Sequence, residues 1–409
     1  MRATVALALV CFTSLAPPDG SRRYLVIPAG HVVDSGSPLC RPALSADGRT
    51  SAFDATAALD PLDQNGRPDV YVLDRVTNQV TLVSRNPSGV AGRDSSHCPS
   101  LSGDGQRVVF ESDASDLVAD DQPGTSDVFL LDRKTGGLRR LSAFTSSAPA
   151  ASTHPAISSD GRVVVFHSRN LDAPPTEPNR VYRVAVDTGE VAQDLGQGHS
   201  PTVSGDGRVM AYVTASSAGA RRVIRVVGPE GTRTLGQSEW QTAIADAFAP
   251  ALSADGEWIA YLVRTRTPGA PHQEDGRTQV YVERVGGGDR HLVSGGANDR
   301  EGNGHSGQPA IDGTGNRVVF ESVATNLACG GRDRTACNKD LNLLADVFLW
   351  DRGTFQVTRV NATTPELAWL EGGTHAAISL DGRTIAFMSR QPVSEADGRD
   401  TFDLFVTQR

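Results

Sequence analysis

Seven copies of one short phrase leave this chain few folds to choose from. The phrase is Pro-x-(Leu/Ile/Val)-Ser-x-Asp-Gly, followed by alternating apolar residues. Its copies start near 42 (PALSADGRTSAF), 99 (PSLSGDGQRVVF), 155 (PAISSDGRVVVF), 201 (PTVSGDGRVMAY), 250 (PALSADGEWIAY), 309 (PAIDGTGNRVVF) and 376 (AAISLDGRTIAF). Self-similarity at this period marks a repeat architecture, one supersecondary unit per copy. Each copy has a second half. DVYVLDR at 69, DVFLLDR at 127 and DVFLWDR at 346 are its clearest forms. RVYRVAV at 180, RRVIRVV at 221, QVYVERV at 279 and DTFDLFV at 400 are weaker ones. In the first six copies a tight turn and a fourth alternating segment follow.

Asp-Gly between two alternating runs signals a hairpin, because glycine accepts the positive φ of the turn. The unit therefore reads as four antiparallel strands: A, tight turn, B, long loop, C, tight turn, D. One such sheet would leave both faces wet, whereas stacking sheets around an axis buries them. The expectation is an all-β fold, a seven-bladed β-propeller of four-stranded antiparallel blades, formed as one domain by residues 21–409. The seventh copy stops after its third strand. Residues 24–28 (YLVIP) alternate in the same way and are expected to complete that blade. The last blade is then closed by the N-terminal strand, and no sheet edge is left at the seam.

The pattern S-x-D-G-R, then (V/I)-(V/A)-F, then D-V-F-L-x-D-R resembles the TolB-type, WD-like propeller repeat of exported bacterial proteins. The resemblance spans about residues 40–409. It implies the fold and a binding platform in the periplasm or outside the cell. TolB itself adds an N-terminal α/β domain to six blades, and this pattern matches neither, so a place in the Tol–Pal system is not implied.

The N-terminus agrees with export. A basic start at Met1-Arg2 precedes an apolar run over residues 3–16, broken by Pro17 and Pro18. That arrangement predicts a signal peptide over residues 1–20 and a secreted mature chain. The run is too short to span a bilayer, and no other stretch is apolar enough to do so. Val10 before Cys11 argues against lipid attachment there. With 39 basic and 48 acidic residues the net charge is -9, which argues against nonspecific nucleic-acid binding. A monomer is expected. Outside the leader stand Cys40, Cys98, Cys329 and Cys337. In an oxidising compartment these are disulfide candidates. Cys329 and Cys337 bracket a polar loop, while Cys40 and Cys98 stand at the entries of the first two repeats.

The long B–C loops and the crossovers between repeats share one end of the propeller, where binding loops gather. Five histidines fall near the entry of strand A: His97, His154, His199, His305 and His375. In register with the residue that opens that strand, His154, His375, Gln308 and Cys98 share one position. His97, His199 and Cys40 share the position before it. Because strand A is innermost, these side chains are expected at the mouth of the central channel. Imidazoles there suit a divalent metal such as Mn or Zn, with His154, Gln308 and His375 as the candidate ligands. Oligogalacturonate lyase is similar in being a seven-bladed propeller with a metal held by histidines and a glutamine. Acidic loops offer oxygen ligands for Ca: Asp63, Asn65 and Asp69; Asp120, Asp121 and Asp127; Asp397 and Asp400. The same residue types also serve ordinary turns and crossovers.

No motif specifies a reaction. GHSGQ at 304 has Gln308 where a nucleophile elbow needs glycine. The leading expectation is a non-catalytic scaffold that binds a protein, peptide or glycan. The alternative is a metal-dependent enzyme, such as an oligogalacturonate-type polysaccharide lyase.

Overall fold

In the computed structural model, strands account for all the regular secondary structure among the described residues. These residues are 13–15, 24–32, 40–119, 121, 124–142, 150–174, 176–188, 192–216, 221–236, 244–266, 276–296, 301–327, 344–361, 372–390 and 401–408. Six sheets have four strands and one has five, each ordered by simple antiparallel neighbours. The sheets are the seven blades of a propeller. Among the described residues no helix is long and apolar enough to cross a membrane.

The repeated phrase builds the turn between strands A and B. In blade 1, Ser45 Oγ donates to Asp47 Oδ1 (2.7 Å) and accepts from the Thr50 amide (2.9 Å). Asp47 Oδ1 also accepts the Arg49 amide, and Gly48 takes a φ of 65°. Ser102, Ser158, Ser204, Ser253 and Ser379 repeat the device. In blade 6 Asp312 replaces the serine and accepts the Asn316 amide itself.

The residue after that serine closes the circle. Backbone bonds run Ala46 N to Gly103 O, Gly103 N to Ser159 O, Asp160 N to Gly205 O and Gly205 N to Ala254 O. They continue as Asp255 N to Gly313 O, Gly313 N to Leu380 O and Asp381 N to Ala46 O. Every blade is thereby tied to the next, and the seventh to the first. The approach is close: a Cβ on Gly103 would lie 2.1 Å from Ser159 Oγ.

The second phrase is structural too. Its first aspartate is buried; Asp69 accepts from Ser84 Oγ (2.5 Å) and Asn65 Nδ2 (2.7 Å). Its last aspartate caps the C–D turn, as Asp74 does for the amides of Val76 and Thr77. The final arginine reaches a turn carbonyl, Arg75 to Gly48 O (2.6 Å) and Arg133 to Gly105 O (2.6 Å).

One apolar cluster fills each of the seven seams. Phe53, Tyr71, Met388 and Leu404 join blades 7 and 1, for example, and Trp258, Phe320, Phe348 and Trp350 join blades 5 and 6. At about 25 cal/mol per Å² of apolar surface removed from water, these seams are the main source of cohesion.

Closure follows the expected route. Strand Tyr24–Val32 pairs antiparallel with Thr401–Gln408 and supplies the outer strand of blade 7. A further short strand, Thr13–Leu15, pairs outside it. It lies within the segment read above as a leader, and it makes this sheet five-stranded.

Candidate functional site

The inner strands of blades 2–7 share a backbone irregularity at the channel mouth. Pairing with strand B slips by a bulge after His97, Thr153, His199, Phe248, Gly307 and Thr374. The next residue in each case has positive φ: Cys98 (53°), His154 (55°), Ser200 (50°), Ala249 (50°), Gln308 (45°) and His375 (54°). A side chain in this conformation costs about 1 kcal/mol or more. A bulge also frees a backbone N–H and re-aims the side chain beside it.

Strand B of the preceding blade receives some of those N–H groups. Glu111 Oε2 of blade 2 accepts the His154 amide (2.6 Å). Glu321 Oε2 of blade 6 accepts the His375 amide (3.1 Å), and His167 Nδ1 of blade 3 the Ser200 amide (3.4 Å). Hydrogen bonds to a charged carboxylate contribute about 1.5–3 kcal/mol, a magnitude that can offset the local strain at His154 and His375.

Side chains then pair within and across the blades. His97 Nδ1 lies 3.2 Å from Asp54 Oδ2 of blade 1. The rings of His154 and His167 are 5.0 Å apart, and those of His167 and His199 are 6.4 Å apart. Arg41, at the entry of blade 1, reaches round to blade 6, donating to Pro309 O (2.8 Å) and Gln308 Oε1 (3.1 Å). Cys40 and Cys98 form a disulfide between the inner strands of blades 1 and 2, with Cα atoms 4.9 Å apart.

Burial sets the protonation of the ring. It raises Glu111, against the opposing effects of the His154 amide and the His154 and His97 charges. It raises Glu321 against the His375 amide and Arg41. Burial together with the charges of His154 and His199 brings His167 down to about 3, so its imidazole is neutral at pH 7. His199 is lowered by burial, Arg222 and His154. For His97 burial opposes protonation, but the bond to Asp54 and the charges of Asp54, Glu111 and Asp113 outweigh it, and the net shift is upward.

Of the residues singled out in the sequence, His97, His154, His199, Gln308 and His375 stand in this ring. His305 stands outside it, with Nδ1 3.2 Å from both the amide and Oγ1 of Thr278 in blade 5. The metal candidates lie on blades 3, 6 and 7, and Gln308 Oε1 is already taken by Arg41. Among the described residues no group of three or more His, Cys, Asp or Glu is placed to hold a metal ion. In the loop considered for Ca, Asn65 donates to Asp69 Oδ2 and Gly92 O, and Asp63 accepts from the Tyr71 hydroxyl. Asp121 and Asp127 share Arg140. Asp120, Asp397, Asp400, Cys329 and Cys337 lie outside the described residues.

Arg41, Asp54, Glu111, His167 and Glu321 were not singled out. The last four share the place after the central Phe or Tyr of strand B, where Val213, Leu262 and Met388 stand in the other blades. Aligning that strand across the repeats would have found them.

No protein-family model matches the chain, and no curated protein does. Among solved structures it is similar to oligogalacturonate lyase from Vibrio parahaemolyticus, with a TM-score of 0.58 at 12% identity over 97% of this chain and 96% of that one. It is also similar to the β-propeller domain of the Trilobed protease from Pyrococcus furiosus (TM-score 0.53, 11% identity, 88% and 89% covered). TolB from Acinetobacter baumannii matches at a TM-score of 0.38 and 18% identity over 68% of this chain and 61% of that one. At these identities the likeness extends to the fold alone.

Proposed function

We propose that this protein is an exported binding propeller that takes a protein, peptide or glycan ligand at the ring around its channel mouth and the long loops beside it. One observation carries the reading. Six blades present the same bulged, positive-φ backbone to the channel, yet the side chains there are Cys98, His154, Ser200, Ala249, Gln308 and His375. The two repeated phrases are used up by turns and seams. Where backbone geometry is held constant and side chains differ, the variation is free to serve recognition. The charged partners Glu111, Glu321 and Arg41 add fixed polar groups, as ligand sites do. Export is supported by the apolar N-terminal run and by the Cys40–Cys98 disulfide.

The test is a glycan array and a peptide library probed with the purified chain, alongside a Glu321→Gln, His154→Ala double variant. A ligand bound by the parent and weakened tenfold or more in the variant is expected. Binding indifferent to both substitutions would move the site elsewhere.

The second reading is a metal-dependent enzyme such as a polysaccharide lyase. It rests on the neighbouring rings of His154, His167 and His199, although among the described residues these three are not placed as a ready set of ligands for one ion. Of the candidate ligands His154, Gln308 and His375, the glutamine Oε1 already accepts a hydrogen bond from Arg41. No catalytic step is therefore drawn through a metal. Stoichiometric Mn or Zn in the purified protein, lost on His154→Ala, would favour the enzyme over the scaffold.

A further inference from the structure

The seam between blades 3 and 4 departs from the other six. Its apolar cluster is the smallest, formed by Val163, Val165, Val203 and Met210. A recess of about 710 Å³ opens there, on the face of the tight turns, opposite the ring. Register explains the thin packing. Ala52 pairs with Val72 in blade 1 and Val109 with Leu130 in blade 2. Ala211 pairs with Val226, Ala260 with Val282 and Val319 with Leu349 in blades 4, 5 and 6. Each of those strand C residues is buried and apolar. In blade 3 the corresponding pair is Val165 with Arg183, and Arg183 lines the recess instead of filling the seam.

A second departure leaves arginines without their usual carboxylate, although the lining as a whole holds three arginines and three aspartates. At the turn corner of blades 1, 2, 5 and 6 a cation meets a carboxylate: Arg49–Asp74, Arg107–Asp132, Arg284–Glu257 and Arg317–Asp351. In blade 3 Ala185 occupies the place of Asp74, opposite Val163, and in blade 4 Gly228 follows Val227 at the same corner. Arg162 and Arg208, which line the recess, therefore lack that partner. Arg208 pairs with Asp206 of its own turn at 3.6 Å. Neither Arg162 nor Arg183 has an ion-pair partner among the described residues. The acidic lining is engaged. Asp187 binds Arg107 (2.7 Å), and the Oδ1 atoms of Asp160 and Asp206 accept amides of their own turns. The floor is apolar, formed by Val163, Leu195, Met210 and Val227.

We infer that this recess is a second binding site, for a small amphiphilic anion. A carboxylate, sulfate or phosphate head would meet the guanidinium groups of Arg183 and Arg162, and an apolar tail or ring would lie on the floor. Guanidinium forks match such heads, and the volume falls in the range of small-molecule sites.

Calorimetric titration of the purified chain with octanoate and with octyl sulfate tests this. Acetate supplies the head without the tail, and 1-octanol the tail without the charge. Saturable one-to-one binding of at least one amphiphilic anion is expected, with both controls tenfold or more weaker. Arg183→Met should weaken that binding at least tenfold and raise Tm, because it restores the residue type of the other seams. Arg162→Gln, on an exposed position that leaves the core untouched, should weaken binding several-fold with Tm unchanged. The inference falls if neither anion saturates at millimolar concentration. It also falls if 1-octanol binds as tightly as octanoate, or if both variants bind like the parent.

Discussion

Asp69 shows at the scale of one residue how a repeated letter serves the fold. Its side chain has no solvent exposure, and burial outweighs the hydrogen bonds from Ser84 and Asn65 to push its carboxyl up to about 7. The sign follows from linkage. Between the ordinary carboxylate value and 7, the folded chain holds a proton that the unfolded chain has released. The stabilisation is therefore complete below about pH 4 and is lost as pH rises through 7. Asp69→Asn should remove this dependence. Urea unfolding at pH 5 and pH 8 is expected to show the parent losing about 2–4 kcal/mol more than the variant across that interval. Parallel curves for the two proteins would contradict the assignment. Nothing in the sequence marked Asp69 as buried and protonated, because an aspartate in an acidic loop reads equally as a turn residue or a Ca ligand.

At the scale of the element, the bulge at the entry of the inner strand in blades 2–7 joins fold to site. It turns a residue out of the ladder and toward the channel, and it costs most where the side chain gains nothing in return. Ala249 comes nearest to this: φ is 50°, and its short side chain has only apolar contact with the blade 5–6 cluster and no polar partner. Ala249→Gly should stabilise the protein by about 1 kcal/mol, since glycine adopts this conformation without the clash of a Cβ. His154→Gly at the matching bulge removes the same strain but also deletes a ring group, so its stability and its ligand binding should move in opposite directions. Chemical denaturation of both variants, with the ligand assay on the second, separates the two effects. The position of the histidines was legible from alignment on the proline of strand A. The bulge was not, since it depends on how strand A pairs with strand B, and the carboxylates that cap it come from another blade.

For the whole molecule, the circle is held by weak links repeated seven times and by two special ones. One is the outer strand that residues 24–32 give to blade 7. The other is the disulfide between Cys40 and Cys98, which closes a separation of 58 residues. A crosslink over that length restricts the unfolded chain by roughly 4 kcal/mol. Reduction, or Cys40→Ser with Cys98→Ser, is expected to lower stability by about that amount while the β-sheet circular dichroism of the native state persists. An unchanged unfolding midpoint would show that the bridge adds nothing. The same view distinguishes the blade 3–4 seam, where Arg183 stands at a register position that is apolar in blades 1, 2, 4, 5 and 6 and lines a recess of about 710 Å³.

The order of strands, the number of blades and the closing role of the N-terminal segment were readable from the chain alone. Hydrophobic alternation and Asp-Gly turns are local, and a local pattern repeated seven times has one compact solution. Long-range placement came only with the folded structure. Arg41 meets Gln308 across 267 positions, Glu111 meets His154 from a different blade, and Arg183 opens a seam rather than filling it. Such contacts depend on the twist and stacking of sheets remote in sequence, and no periodicity in the chain encodes which side chains they bring face to face.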